Sequence, residues 1–239
     1  MKRKYGIAEI VLDLAFPPRC PVCDQIIPFR GGDICGKCLE KLKPINGPIC
    51  MKCGKPLKEE DEYCFDCKTK KHLYKQGVSV FEYRDIAPSI YRFKYGGRQE
   101  YAFFFGRCMA WKLEGRIKQW KAEALVPIPI HPSRKRQRGY NQAELLAKVI
   151  SARTGVPMRC DIVARRKKTT PQKGLDDVER QNNLKRAFKI LKNDVKLSTI
   201  VIIDDIYTTG STVDAMTATL QTAGVKNIYY AALAIGRGQ

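Results

Sequence analysis

Ile200-Val201-Ile202-Ile203 is a run of four β-branched apolar residues bounded by polar ones. Such a run reads as a strand buried on both faces of a parallel sheet, not as one alternating between core and water. Asp204, Asp205 and a short hydroxyl-and-glycine stretch follow it. Val213, Met216 and Leu220 then recur at three- and four-residue steps, the period of a helix packed on the sheet. Gly224 is placed to stop that helix. Upstream, Ala124 to Ile130 reads as a second strand, whose Pro127 and Pro129 keep its end from pairing fully. Leu145, Leu146, Val149 and Ile150 mark one face of another helix, and Ile7, Ile10, Val11 and Leu14 one face of a short amphipathic helix. The pattern predicts an α/β fold, a doubly wound parallel sheet flanked by helices, over residues 71–239.

Residues 1–70 follow a different logic. Eight of the ten cysteines form four Cys-x-x-Cys pairs: Cys20/Cys23, Cys35/Cys38, Cys50/Cys53 and Cys64/Cys67. Thiolates at this spacing fill adjacent corners of one tetrahedron, so the pairs predict two structural Zn²⁺ sites of four cysteines each. Sequential pairing keeps the loops shortest, and the spacing leaves interleaved pairing open as well. Four thiolates close the coordination sphere, so no catalytic water is expected on the metal. Gly54 fits a tight knuckle turn, and Cys38 to Leu42 fits the start of a helix. Four equivalent pairs argue against a redox couple, which needs one exposed pair of low pKa. Cys108 and Cys160 fall outside the pattern and are expected to be buried.

Charge adds a partner class. The chain carries 44 Lys and Arg against 24 Asp and Glu, a net charge of +20. Residues 1–67 hold 11 basic and 10 acidic residues, so nearly all the excess lies in the second part. A surface of this kind favours polyanions, nucleic acid or clustered phosphates. Glu9 and Asp13 interrupt the apolar run after Met1-Lys2-Arg3-Lys4, so no secretory signal is expected there. No stretch is long and apolar enough to span a membrane, and a cytoplasmic location is expected.

Candidate chemistry gathers at the end of the apolar strand. Backbone N–H groups at the following helix start converge on an anion, and Thr208, Thr209, Gly210, Ser211 and Thr212 supply the flexible, hydroxyl-bearing turn around it. Asp204 and Asp205 repel phosphate but suit vicinal sugar hydroxyls, so the whole describes a ribose-5-phosphate cradle. This stretch resembles the phosphoribosyl-pyrophosphate motif of type I phosphoribosyltransferases. The resemblance implies that the acid pair, the candidate catalytic residues, holds the ribose with Mg²⁺ nearby while the turn takes the 5-phosphate. The glycine spacing of nucleoside-triphosphate loops and of dinucleotide folds is absent. Arg134, Lys135, Arg136 and Arg138, just ahead of a helix, and Arg165 and Arg166 at the head of a long polar segment are candidate pyrophosphate or DNA contacts. That segment, 164–186, stands where phosphoribosyltransferases carry a flap that shields the reaction from water.

Three passages narrow the resemblance further: Val126-Pro127-Ile128-Pro129 with Arg138-Gly139-Tyr140-Asn141-Gln142; Arg166, Thr169, Gln172, Arg180, Asn183, Ala187 and Phe188; and the ribose-phosphate motif. Together with the cysteine pairs and Lys94-Tyr95-Gly96-Gly97-Arg98, they are similar to the ComF family of late-competence proteins over nearly the whole chain. The resemblance implies handling of single-stranded DNA in natural transformation, with a competence helicase as partner. Tyr91 and Tyr95, interleaved with Arg92 and Lys94, are candidate base-stacking residues, whereas Phe93 fits a buried helix position. An active phosphoribosyltransferase is the alternative, and a protein-docking platform is a third reading. Purine-salvage enzymes place a carboxylate general base at the position of Thr208. Threonine cannot accept a proton near neutral pH, which speaks against transfer to a purine by that route. Orotate- and adenine-type enzymes manage without that acid.

Overall fold

A computed structural model describes residues 17–28, 32–58, 61–166, 187–192 and 196–236. The amphipathic helix expected at Ile7–Leu14 lies outside them. So does most of the polar segment from 164 to 186, including Thr169, Gln172, Arg180 and Asn183.

Four parallel strands make the central sheet: β1 (Gly77–Glu82), β2 (Ala124–Pro127), β5 (Thr199–Tyr207) and β6 (Asn227–Ile235), in the order β1-β6-β5-β2. Between β1 and β2 lie α3 (Tyr83–Tyr95) and α4 (Tyr101–Trp120). After β2 come α5 (Pro132–Arg138) and α6 (Gln142–Thr154), and α7 (Ser211–Thr222) joins β5 to β6. A separate two-stranded antiparallel sheet pairs β3 (Val163–Arg165) with β4 (Phe188–Ile190). The free edge of β2 is covered by residues 157–159, through bonds from Leu125 N–H to the Pro157 carbonyl and from Arg159 N–H to the Leu125 carbonyl, both 2.9 Å. This cover leaves no open edge there for another chain to pair with.

Strand β5 is apolar on both faces because both faces are covered. Val201 and Ile203 pack with Phe105, Met109 and Leu113 of α4 and Leu146 and Ile150 of α6. Ile200 and Ile202 pack with Val213, Met216 and Leu220 of α7. The helices after β2 and after β5 therefore lie on opposite sides of the sheet. A crevice opens between the carboxyl ends of those two strands, where ligands of doubly wound sheets bind. Strand β5 also runs four residues beyond the expected 199–203, because β6 pairs with it as far as Tyr207. Asp204 and Asp205 are thus strand residues, not loop residues.

The stretch 134–138, expected just ahead of a helix, is itself helical in α5. Pro132 fits its first turn, the His131 side chain accepts from Ser133 N–H, and Gly139 closes it at φ +81°. Cys160 is exposed and Cys108 only half-buried, against the expectation that both are buried. Cys160 sits just beyond the strip covering β2, where the chain turns outward.

The cysteine module is two copies of one knuckle-and-helix unit. In each, an N–H four residues on bonds back to the first cysteine carbonyl, Asp24 to Cys20 and Gly54 to Cys50, at 2.8 Å. A short helix then follows the third cysteine, α1 (Gly36–Lys41) and α2 (Phe65–Thr69). Asp24 and Gly54 occupy the same left-handed position, φ +63° and +73°. In the first copy the side chain has room, and Asp24 accepts from the Tyr101 hydroxyl and pairs with Arg98 at 3.4 Å. In the second, a Cβ on Gly54 would lie 2.7 Å from the Gly77 carbonyl oxygen, against β1. Gly77 N–H donates to the Lys52 carbonyl and Ile45 N–H to the Val80 carbonyl, so β1 lies directly beneath this copy. Gly54→Ala is expected to destabilise the protein by about 2 kcal/mol or more, combining left-handed strain with backbone overlap, while Asp24→Gly costs less. Equilibrium denaturation of both variants checks this; equal losses would contradict it.

Candidate functional site

The eight ligand sulfurs sort into Cys20/Cys23/Cys35/Cys38 and Cys50/Cys53/Cys64/Cys67, with all members of each set within 4.8 Å of one another. The pairing left open by the spacing is therefore sequential. A tetrahedral zinc with bonds of about 2.3 Å sets neighbouring sulfurs roughly 3.8 Å apart. Cys23 and Cys35 Sγ are 3.7 Å apart, and Cys53 and Cys64 Sγ 3.5 Å. Both sets fit, and each is a structural zinc site.

The switch point between β2 and β5 holds a cleft of roughly 460 Å³. Asp204 and Asp205 line its floor, and Ile128 and Ile130 continue β2 along one wall. Thr208 and Thr212 bound it at the turn into α7; Thr209, Gly210 and Ser211 belong to the same turn without lining the cleft. Thr209 and Ser211 hydroxyls bond one another at 2.9 Å. Gly210 stands at φ +80° and is the N-cap of α7, a backbone conformation that few other residues adopt at low cost.

Cations converge on the acid pair from other elements. Lys94, near the end of α3, meets Asp205 with Nζ 3.0 Å from Oδ1. Arg134 and Arg138 of α5 and Arg165 of β3 also line the cleft. Burial, the neighbouring Arg134 charge and, in opposition, Asp204 act on the Arg165 guanidinium, with a net lowering of its pKa. Lys135 instead pairs with Glu144 at 2.9 Å, and Arg136 is exposed outside the cleft. Arg166, also exposed, contributes its N–H to the Ala187 carbonyl.

Lys94 and Tyr95 are the site residues that sequence reasoning assigned elsewhere. The stretch 91–95 read as a stacking run and 94–98 resembled a family motif, but nothing local pointed Lys94 at the acids. Phe93 is fully buried, whereas Tyr91 and Tyr95 are 65% and 59% exposed, with ring centroids 5.1 Å apart. The Arg138 guanidinium lies 4.7 Å over the Tyr95 ring and donates to its hydroxyl at 3.1 Å. Asn141 caps α6 through Ala143 N–H and donates to the Ile128 carbonyl at 2.9 Å, fixing the exit of β2 against the helix start. Gln142 Nε2 and the Tyr140 hydroxyl both donate to the Phe93 carbonyl, which anchors α3 beside the cleft.

Burial, reinforced by the charge of Asp205, pushes the Asp204 carboxyl from 3.8 up to about 7, against the opposing pull of Lys94, the Asp205 N–H and Arg165. The fold thus disfavours the ionised form, and the stability tied to this group falls as pH rises from about 4 through 7. Asp204→Asn, which cannot ionise, is expected to match the native protein near the acid end of that window and to exceed it increasingly above it. Thermal melts across the range check this; a difference independent of pH would contradict the burial argument.

Comparison with known proteins agrees with this architecture. Residues 11–68 match the double zinc ribbon domain, and residues 137–239 match the phosphoribosyl transferase domain. Competence protein F of Haemophilus influenzae is 30% identical over 220 residues, covering 88% of this chain and 93% of that one. Competence protein ComFC of Bacillus subtilis is 31% identical over 187 residues, 75% of this chain and 74% of that one. The DNA utilization protein YhgH of Escherichia coli is 28% identical over 204 residues, 84% and 89% of the two chains. Among solved structures, a purine phosphoribosyltransferase from Pyrococcus horikoshii is 17% identical, with a TM-score of 0.37, over 56% of this chain and 74% of that one. The fold assignment rests on the sheet and the domain match, not on that loose likeness. With two zinc ribbons ahead of a phosphoribosyltransferase-fold domain, and close to a third of its residues shared with a competence protein along most of both chains, the protein belongs to the ComF family of competence proteins.

Proposed function

We propose that this protein handles single-stranded DNA during natural transformation and retains a pocket for phosphoribosyl pyrophosphate at the switch point of its sheet. The observation that carries the reading is the pairing of unlike charges in one cleft. Two carboxylates that suit sugar hydroxyls face Lys94, Arg134, Arg138 and Arg165, which suit phosphates, beside a hydroxyl-bearing turn at a helix start. Asp204 and Asp205 would take the ribose hydroxyls and Thr208 to Thr212 the 5-phosphate. Arg134, Arg138 and Arg165 would meet the pyrophosphate, and Mg²⁺ would offset its charge.

DNA is supported from a different direction. The net charge of +20 favours a polyanion, and Tyr91 and Tyr95 present an exposed pair of rings beside the cleft, with Arg138 against one of them. Such rings stack unpaired bases whatever their identity, while the cations follow the backbone. The relatives named for competence and for DNA utilization point to the same process. A competence helicase is the protein partner this reading implies. Among the described residues no helix is long and apolar enough to cross a membrane.

Calorimetry tests both parts. The double variant Asp204→Ala with Asp205→Ala is expected to lose measurable binding of phosphoribosyl pyrophosphate with Mg²⁺; unchanged affinity would remove the pocket from the reading. Binding of a short single-stranded oligonucleotide is expected to weaken steeply with salt, the log–log slope falling by about 0.7 per phosphate contacted. A flat salt profile would remove the DNA part.

A further inference from the structure

The turn between β5 and α7 rests on a residue from the connector between the cysteine module and β1. His72, its side chain 2% exposed, holds Nδ1 2.8 Å from Asp214 Oδ2, and Leu73 N–H donates to the other oxygen of that carboxylate at 2.8 Å. Asp214 lies in the first turn of α7. On the far side of the imidazole, Nε2 faces the Tyr207 hydroxyl at 3.4 Å, and the ring stacks on Tyr74 with centroids 5.0 Å apart. Gly210 backs directly onto this pair: a Cβ there would lie 2.5 Å from the Tyr207 hydroxyl and 2.7 Å from His72 Cε1.

From Tyr207 the contacts run on to the metal module. Its hydroxyl bonds the Tyr74 hydroxyl at 2.7 Å, and its ring stacks on Tyr230 at 4.7 Å with the planes only 6° apart. The Tyr230 hydroxyl donates to the carbonyl of Cys53, a ligand of the second cluster, at 2.6 Å. Lys52, next to Cys53, donates to the Tyr74 carbonyl. All three tyrosines are buried, so none of these rings turns without displacing its neighbours.

We propose that His72 is a positioning residue for the phosphate-binding turn, and that the Tyr207–Tyr230 stack couples this turn to the second cysteine cluster. This rests on the reading that residues 208–212 hold a 5-phosphate. The chemistry at the helix start requires such a device. Asp214 puts a negative charge in the same turn whose N–H groups would meet the anion, and Asp214 does not line the cleft. His72 and Leu73 N–H occupy both of its oxygens and hold the charge toward the module. Removing the imidazole frees that carboxylate and also leaves Gly210 without the wall behind it.

The test uses the full chain with both metal sites loaded and reads calorimetric affinity for ribose 5-phosphate and, separately, for inorganic pyrophosphate. His72→Ala is expected to weaken ribose 5-phosphate about tenfold while pyrophosphate, held by the arginines, changes by less than about twofold. His72→Asn, whose amide donates to Asp214 in place of Nδ1, is expected to restore most of the loss. With NMR-active cadmium replacing zinc, ribose 5-phosphate is expected to move one of the two metal resonances, and Tyr230→Phe to abolish that movement. Equal loss of both ligands in His72→Ala would reduce the residue to a fold-wide role and overturn the proposal, and two unmoved resonances would overturn the coupling. If the native chain binds pyrophosphate but no ribose 5-phosphate, the phosphate reading of the turn fails and this inference with it. Tyr230→Phe conserves volume and His72→Asn keeps the donor to Asp214, so the test stands even where the alanine variant does not fold.

Discussion

Two carboxylates at the end of a strand buried on both faces would be untenable without opposing charge. Each loses hydration as the sheet closes around it, and each repels the other across one peptide unit. The structure answers with cations drawn from three elements far apart in sequence: Lys94 from α3, Arg134 and Arg138 from α5, and Arg165 from β3. Lys94 pairs closely with Asp205, at 3.0 Å. Arg134, Arg138 and Arg165 line the cleft beside this pair. With both acids ionised the lining is still net positive, an arrangement that gains from an incoming dianion and not from a neutral sugar. The same four side chains also explain why the cleft stays open: like charges lining its walls resist collapse onto one another.

The metal sites solve a separate problem of size. The apolar core of the first ribbon consists of Ile27 and Ile34 with two ligand cysteines, backed by half-buried Val22, Leu42 and Phe104. Full burial of two isoleucines contributes roughly 3–6 kcal/mol, which the ordering of a handful of residues at about 1–2 kcal/mol each already offsets. Zinc is what holds such a segment in one conformation. The two ribbons then diverge in what they hold up. The first is fastened by polar contacts to α3 and α4, through Arg92 and Ser89 to the Val22 carbonyl and through Tyr101 and Arg98 to Asp24. The second is continuous with the sheet core, its cysteines buried among Tyr74, Ile202, Met216 and Tyr230.

What the sequence disclosed follows from range. Strand β5, its helix and the four cysteine pairs were legible because their signals are local: a β-branched run, a three-to-four period, a fixed spacing. Helix α5 was not read from the sequence, because the signals that bound this seven-residue helix, His131 as cap and Gly139 at positive φ, were masked by its charge. Lys94 and His72 were illegible as site residues for a different reason. One pairs with an aspartate more than a hundred residues away, the other bonds one 142 positions on, and no local pattern encodes such partners. A lone histidine in a polar connector gives no hint that it underlies a turn at the opposite end of the domain. The tyrosines at 91 and 95 were separable from Phe93 by helical period alone, since residues four apart share a face and the one between them does not.

The acid pair also constrains what chemistry the cleft can perform. Thr208 lines it with a hydroxyl that can donate to an anion but cannot take up a proton near neutral pH. Asp204, by contrast, has its carboxyl raised to about 7 by burial and by Asp205. A protonated carboxyl repels an arriving phosphate less than an ionised one. Once sugar hydroxyls donate to it, the ionised form gains the hydrogen bonds that burial denied it, and the proton leaves. Hydroxyl donors and ionisation would then favour one another, which would relieve the desolvation that burial imposes on Asp204. An internal nucleotide of DNA lacks both ribose hydroxyls and carries phosphodiesters at its 3′ and 5′ oxygens. Two carboxylates therefore suit the hydroxyls of a free sugar phosphate better than a DNA backbone.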